Sequence, residues 1–164
     1  MRYNKIRKMD ISNGPGVRIS IFLQGCEFHC PKCFNPETHD FEGGKEFTDE
    51  TVNRILELAD FDHINGLSIL GGEPMHPKNR AGTIALAKTF KKRYPDKNVW
   101  VWTGFLFDKD LKNEKDIHYI DVIVDGLYVD ALHDFRLKWR GSSNQRVIDV
   151  KKTLETNNIE LFCE

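Results

Sequence analysis

Apolar residues recur along this chain with two alternating periods. "VRISIFLQG" (17–25) is a short, β-branched apolar run and predicts a strand. "FTDETVNRILELADF" spaces Val52, Ile55, Leu56 and Ala59 on one helical face, with Thr48 as a candidate cap. "GLSILGG" (66–72) predicts a second strand, "NRAGTIALAKTFKKRY" a helix stopped by Pro95, and "NVWVWTG" (98–104) a third strand. A weaker helical stretch over 108–117 precedes a fourth strand, "YIDVIVDGL" (119–127). "HDFRLKWRGSSNQR" is polar and Gly/Ser-rich and reads as a long loop. A short strand at 146–149, a short helix and a last strand around "IELFC" complete the pattern.

Strands alternating with helices predict an α/β fold with a mostly parallel sheet covered by helices. In such sheets ligands gather at the C-terminal ends of the strands. Four predicted strands end in "QGC", "GGEP", "TGF" and "DGL", where glycine lets backbone approach a ligand closely. A closed eight-unit barrel takes about 250 residues and at least about 200. The 164 residues therefore predict one domain, 1–164, folded as an open, partial (β/α) barrel or curled sheet.

Composition changes this picture little. Hydrophobic residues at 40% and charged residues at 30% are ordinary for a soluble domain. A net charge of −1 gives no global field for nucleic acid, and the lysines of 88–95 read as the polar face of a surface helix. No run reaches the roughly 18–20 apolar residues of a membrane span. The basic N-terminus lacks the apolar stretch of a secretory signal, so a cytoplasmic location is expected. There, clustered cysteines indicate metal or redox chemistry rather than disulfides.

Cys26, Cys30 and Cys33 form such a cluster, spaced C-x-x-x-C-x-x-C within eight residues. Structural zinc takes four ligands, and the only further candidates are His29, His39 and the distant Cys163. His29 reads as a solvated loop residue and Cys163 as a terminal bystander. A cubane iron–sulfur cluster fits better: it normally takes four thiolates, so three leave one iron open to a small molecule. A zinc-binding interaction module and an electron-transfer iron–sulfur protein are the rivals from other classes. Neither needs an open iron ringed by four glycine-ended strands.

The cysteine spacing after the first strand, with "GGEP" after the second, resembles the radical S-adenosylmethionine superfamily. Within it, "NGPGVR" (13–18), "FLQGCEFHCPKCFNPET" (22–38), "LSILGGEPM" (67–75), "WTGF" (102–105), "DVIVDG" (121–126) and "RGSSNQR" (140–146) are similar to the glycyl-radical activases of anaerobic ribonucleotide reductase. The resemblance implies an open partial barrel of the radical S-adenosylmethionine type. It implies that Cys26, Cys30 and Cys33 ligate a [4Fe–4S] cluster whose fourth iron is chelated by S-adenosylmethionine. Gly71, Gly72 and Glu73 would hold the methionine amino group, and Phe34 would pack either on the adenine side or within its own loop. Thr103 and Asn144 would contact the nucleoside, and Asp125 would either bind the ribose or a cation or cap the Gly turn that follows it. The partners implied are the large glycyl-radical subunit of the reductase and an electron donor such as a flavodoxin. The alternatives within the superfamily are the activase of pyruvate formate-lyase and a small-molecule radical enzyme. Lys32 stands where the superfamily often has an aromatic residue. Arg18 and Arg140 could orient the partner or form structural contacts. Trp100 and Trp102, alternate residues of one strand, read as packing residues.

Overall fold

The computed structural model describes residues 1–163. Seven strands form one sheet: β1 (Arg2–Asp10), β2 (Val17–Leu23), β3 (Lys45–Glu46), β4 (Ile64–Gly71), β5 (Asn98–Trp102), β6 (Val122–Asp125) and β7 (Arg146–Asp149). Their spatial order is β3-β1-β2-β4-β5-β6-β7, so the sheet is open, with β3 and β7 as edges. The central strands β2, β4, β5 and β6 run parallel. Antiparallel pairing adds β1 and β3 on one side and β7 on the other.

The two faces of the sheet divide the core by the period of two expected of strands. Ile19, Ile21, Leu67, Ile69, Val99, Val101 and Ile123 pack against Ile55 and Ala59 of α1 (Asp49–Ala59) and Leu86 and Phe90 of α2 (Pro77–Arg93). The alternate residues face the other way. There Trp100, Val122, Val124 and Val147 form a smaller cluster with Trp102, Trp139 and Cys163. The Thr51 hydroxyl accepts the Thr48 N–H at 3.1 Å, so α1 starts at the expected cap.

The "GPGVR" turn serves Arg18, which is fully buried and held by side-chain and backbone oxygens. Its guanidinium donates to Ser68 Oγ at 2.7 Å, the Leu67 carbonyl at 3.0 Å and the Pro15 carbonyl at 3.2 Å. It lies 5.6 Å from the centre of the Trp100 ring, and burial lowers its pKa to about 10. A Cβ at Gly14, whose φ is +109°, would strike the Arg18 side chain at 2.8 Å.

Four elements differ from the sequence reading, one of them the two-residue edge strand β3, too short to carry a period of its own. β1 was absent from it because "RYNKIRKMD" carries charges on both faces, yet it pairs along most of β2. Residues 108–117 form no α-helix. A π-helical turn at Phe107–Leu111 and a 3₁₀ turn at Ile117–Tyr119 replace it. Only Phe107, Leu111 and Ile117 offer buried apolar anchors there, and Asp116 adopts a left-handed φ of +66°. "IELFC" makes only a single bridge, Leu161 to Ile148, after α3 (Val150–Thr156).

Candidate iron–sulfur and cofactor site

The ends of β2, β4, β5 and β6 open together into one cavity of about 700 Å³. Cys26, Cys30, Cys33, Gly71, Gly72, Glu73, Thr103 and Gly126 all line it. The parallel register makes this convergence obligatory, since Leu23 pairs with Gly71 and the loops that follow leave the same sheet edge.

The cysteine loop wraps rather than extends because two of its residues are left-handed. His29 (φ +48°) and Lys32 (φ +58°) stand immediately before Cys30 and Cys33 and reverse the chain at each. The loop is anchored at its base, where the Gly25 N–H donates to the Thr38 carbonyl at 2.7 Å and the Cys26 N–H to the His39 carbonyl at 3.1 Å. The Lys32 ammonium meets Asp130 at 3.1 Å, tying the loop to the segment after β6.

All three thiols are free and partly exposed. Backbone N–H groups point at their sulfurs: Asn35 at Cys33 (3.4 Å), Phe28 and His29 at Cys26, and Tyr128 at Cys30. Burial pushes Cys26 and Cys30 up, and these donors act in the opposite sense, as a metal cation would. Among the described residues, no three His, Cys, Asp or Glu side chains converge on a single ion. A cluster needs no such convergence, because each thiolate binds its own iron. Of the other zinc candidates, His39 also lines the cavity but its ring nitrogen meets that of His29 at 3.0 Å, and Cys163 packs in the tryptophan cluster. The three thiols therefore fit a cluster.

The glycines of "GGEP" are required sterically. Gly71 has φ +110°, and a Cβ on Gly72 would lie 2.6 Å from the Gly25 carbonyl and 2.8 Å from that of Thr38. The Gly72 and Glu73 N–H groups are spent on the carbonyls of Leu23 and Gly25. A ligand at this turn thus meets carbonyl oxygens and the Glu73 carboxylate, which suits a donor-rich cation.

Glu73 is 2% exposed and burial pushes its pKa up. Oε1 accepts the Met75 N–H (2.9 Å) and the Thr103 hydroxyl, and Oε2 accepts the Gly104 N–H (2.7 Å). Arg80, the cation that eases its ionisation, makes its own ion pair with Glu114 at 2.8 Å. The carboxylate is well hydrogen-bonded but, among the described residues, has no ion-pair partner.

Other sequence candidates divide. Phe34 is 64% exposed, lines the cavity and stacks obliquely on Tyr128 at 5.1 Å. Thr103 lines it too, but its hydroxyl is engaged by Glu73 and the Phe105 N–H. Asp125 is fully buried outside the cavity lining and bonds Arg146 at 2.9 and 2.6 Å and the Phe107 N–H at 2.8 Å. Asn144 also lies outside the lining, where its amide holds the Leu127 carbonyl at 2.7 Å. Trp100 and Trp102 both pack in the smaller cluster as expected, and Trp102 also lines the cavity.

Two residues essential to this geometry were not singled out from sequence. Asn79, buried near the start of α2, donates to both the Gln24 and Glu73 carbonyls at 3.0 and 3.1 Å, joining the "QGC" and "GGEP" turns. Arg146 is the partner of Asp125. Its place as the last residue of "RGSSNQR" was the only signal available.

A 4Fe-4S single cluster domain model matches residues 12–148. An anaerobic ribonucleoside-triphosphate reductase-activating protein of Enterobacteria phage T4 is 40% identical over 147 residues, covering 90% of this chain and 93% of the relative. The chain belongs to this activating-protein family. Members from Salmonella typhi and Escherichia coli (strain K12) are 41% and 37% identical over 150 residues, each covering 90% of this chain and 97% of the relative. The cluster-domain match and the free cysteines together support an iron–sulfur group for this family member. Among the described residues, no helix is long and apolar enough to cross a membrane.

Proposed function

We propose that the chain is a radical S-adenosylmethionine enzyme, one domain over 1–164 built as an open partial barrel, that activates the large subunit of an anaerobic ribonucleotide reductase. In this reading Cys26, Cys30 and Cys33 hold three irons of a [4Fe–4S] cluster and leave one for the amino and carboxylate groups of S-adenosylmethionine. The observation that carries it is that three free thiols and a buried carboxylate without a counter-ion open into the same cavity. Held there, the cluster would supply one electron for reductive cleavage of S-adenosylmethionine to methionine, and so the means of removing a hydrogen atom from a glycine of the reductase.

The residues divide the remaining work. Glu73 and the carbonyls of the "GGEP" turn receive the methionine ammonium. Thr103 and the Gly104 N–H fix the carboxylate that receives it. Phe34, backed by Tyr128, offers an apolar face to the adenine. Asp125 and Asn144 act from behind the wall: Asn144 holds the Leu127 carbonyl, and Asp125 holds Arg146. Seating in the cavity at the strand ends would keep water and stray C–H bonds from a reactive primary radical. The electron comes from a small cytoplasmic donor of the flavodoxin kind.

Anaerobic reconstitution tests this reading. About four irons with matching sulfide per chain are expected, with none of the stoichiometric zinc of an interaction module. Cys30→Ala should abolish 5′-deoxyadenosine formation and Cys163→Ala should leave it intact. Equal loss in both would overturn the ligand assignment.

A further inference from the structure

The cavity is ringed by apolar side chains that none of the described residues covers. Phe34 (64% exposed), Leu127 (42%) and Phe135 (93%) line it directly. Leu132 precedes the lining residue His133, and Met9 and Ile11 lie just before the lining residues Ser12 and Asn13. Such a ring is costly to expose and marks a surface that another protein covers.

The segment carrying Phe135 is held in place. His133 bridges Ser142, the Asp134 N–H donates to the Gly141 carbonyl at 3.3 Å, and Trp139 sits at φ +61°. Trp102 Nε1 donates to the Trp139 carbonyl at 2.7 Å, and the Trp139 ring meets Trp100 at 5.0 Å. Phe135 is therefore presented on a pre-ordered loop, as an interface anchor is.

The charges around the ring are unbalanced. Its acids are matched, Asp10 by Arg7, Asp130 by Lys32 and Asp134 by Arg136. Its remaining bases are not: Lys138 lies over the Trp139 ring at 5.9 Å, and Arg140 donates to the Gln145 carbonyl. The surface left for a partner is apolar with a positive margin.

We propose that this rim, with Phe135 as its anchor, is the docking surface for the reductase subunit, which covers it with an apolar face of acidic margin and passes an extended glycine-bearing segment into the cavity. The proposal rests on the activase reading above and adds to it where and how the partner binds. A small-molecule substrate would need the cavity but not the rim.

Titration calorimetry of the reconstituted chain against the purified reductase subunit tests it. Phe135→Asp is expected to raise Kd about tenfold or more, while Phe61→Asp, an exposed aromatic away from the cavity, changes it less than about twofold. Lys138→Glu is expected to weaken binding at low salt and flatten its salt dependence. Because Phe135 and Lys138 are exposed, iron content and near-ultraviolet circular dichroism should match the wild type. Wild-type binding with unchanged affinity in both rim variants overturns the rim alone. No wild-type binding overturns the activase reading and the rim with it. Loss of self-association instead of reductase binding in Phe135→Asp assigns the rim to a second copy and overturns the proposal.

Discussion

The Thr103 hydroxyl donates to Glu73 Oε1 across 2.5 Å, from the end of one parallel strand to the turn after its neighbour. Burial already pushes this carboxyl up, and the hydroxyl is the strongest of the contacts that counter it. Thr103→Val removes that contact, so Glu73 is expected to lose its charge at higher pH than in the wild type. S-Adenosylmethionine affinity should fall about tenfold near neutral pH and decline further as pH drops. Thr103→Ser should restore both. Kd measured against pH checks this; identical profiles in all three proteins would place the ammonium elsewhere.

Asn79 joins the "QGC" and "GGEP" turns through one buried amide. Asn79→Leu leaves the Gln24 and Glu73 carbonyls without that donor. A loss of about 2–3 kcal/mol is expected in urea unfolding, with reduced iron retention.

Gly72→Ala places a methyl against two backbone carbonyls that cannot swing aside. Overpacking of this kind costs about 1–3 kcal/mol and forces the "QGC" and "GGEP" turns apart. Loss of S-adenosylmethionine binding with a folded far-ultraviolet spectrum is the expected result.

The buried ion pair of Asp125 and Arg146 separates stability from cofactor contact. Arg146→Met strands the Asp125 carboxylate and should cost about 3 kcal/mol, seen as a lower urea midpoint. S-Adenosylmethionine affinity of the folded protein should change less than about twofold, since neither Asp125 nor Arg146 lines the cavity. A tenfold loss of affinity would return Asp125 to the nucleoside.

Acid sensitivity should have a source in Asp10. Burial pushes this carboxyl up, but the Asn13 amide (2.7 Å) and the Ser12 N–H (2.8 Å) outweigh it and hold it below its ordinary value. Its contribution is then complete above the unfolded range, about pH 4, and is lost as pH falls through the folded value. Asp10→Asn should show a smaller drop in urea midpoint between about pH 6 and about pH 3 than the wild type.

Much of this architecture was legible because apolar period and turn chemistry coincide with the sheet. The β2, β4, β5 and β6 runs, the glycine ends and the Thr48 cap all carry local signals. The convergence of Cys26, Cys30, Cys33 and "GGEP" followed from parallel topology. β1 escaped because its partner strand, not its own pattern, makes it a strand. The pairing of Asp125 with Arg146 and the bridging role of Asn79 depend on side chains meeting across 21 and 55 residues. No local period encodes such contacts. Thr103 is expected from sequence to contact the nucleoside; that its hydroxyl serves Glu73 depends on the register of β4 and β5, which no local pattern encodes.

The central claim is that this cavity directs a radical onto a reductase glycine. Electron paramagnetic resonance of the reduced, reconstituted chain mixed with S-adenosylmethionine and the anaerobic reductase subunit tests it most directly. The account predicts a glycyl radical doublet on the reductase that disappears with Cys30→Ala and does not form on pyruvate formate-lyase. Cleavage of S-adenosylmethionine with no doublet on the reductase, or a doublet only on pyruvate formate-lyase, would contradict it.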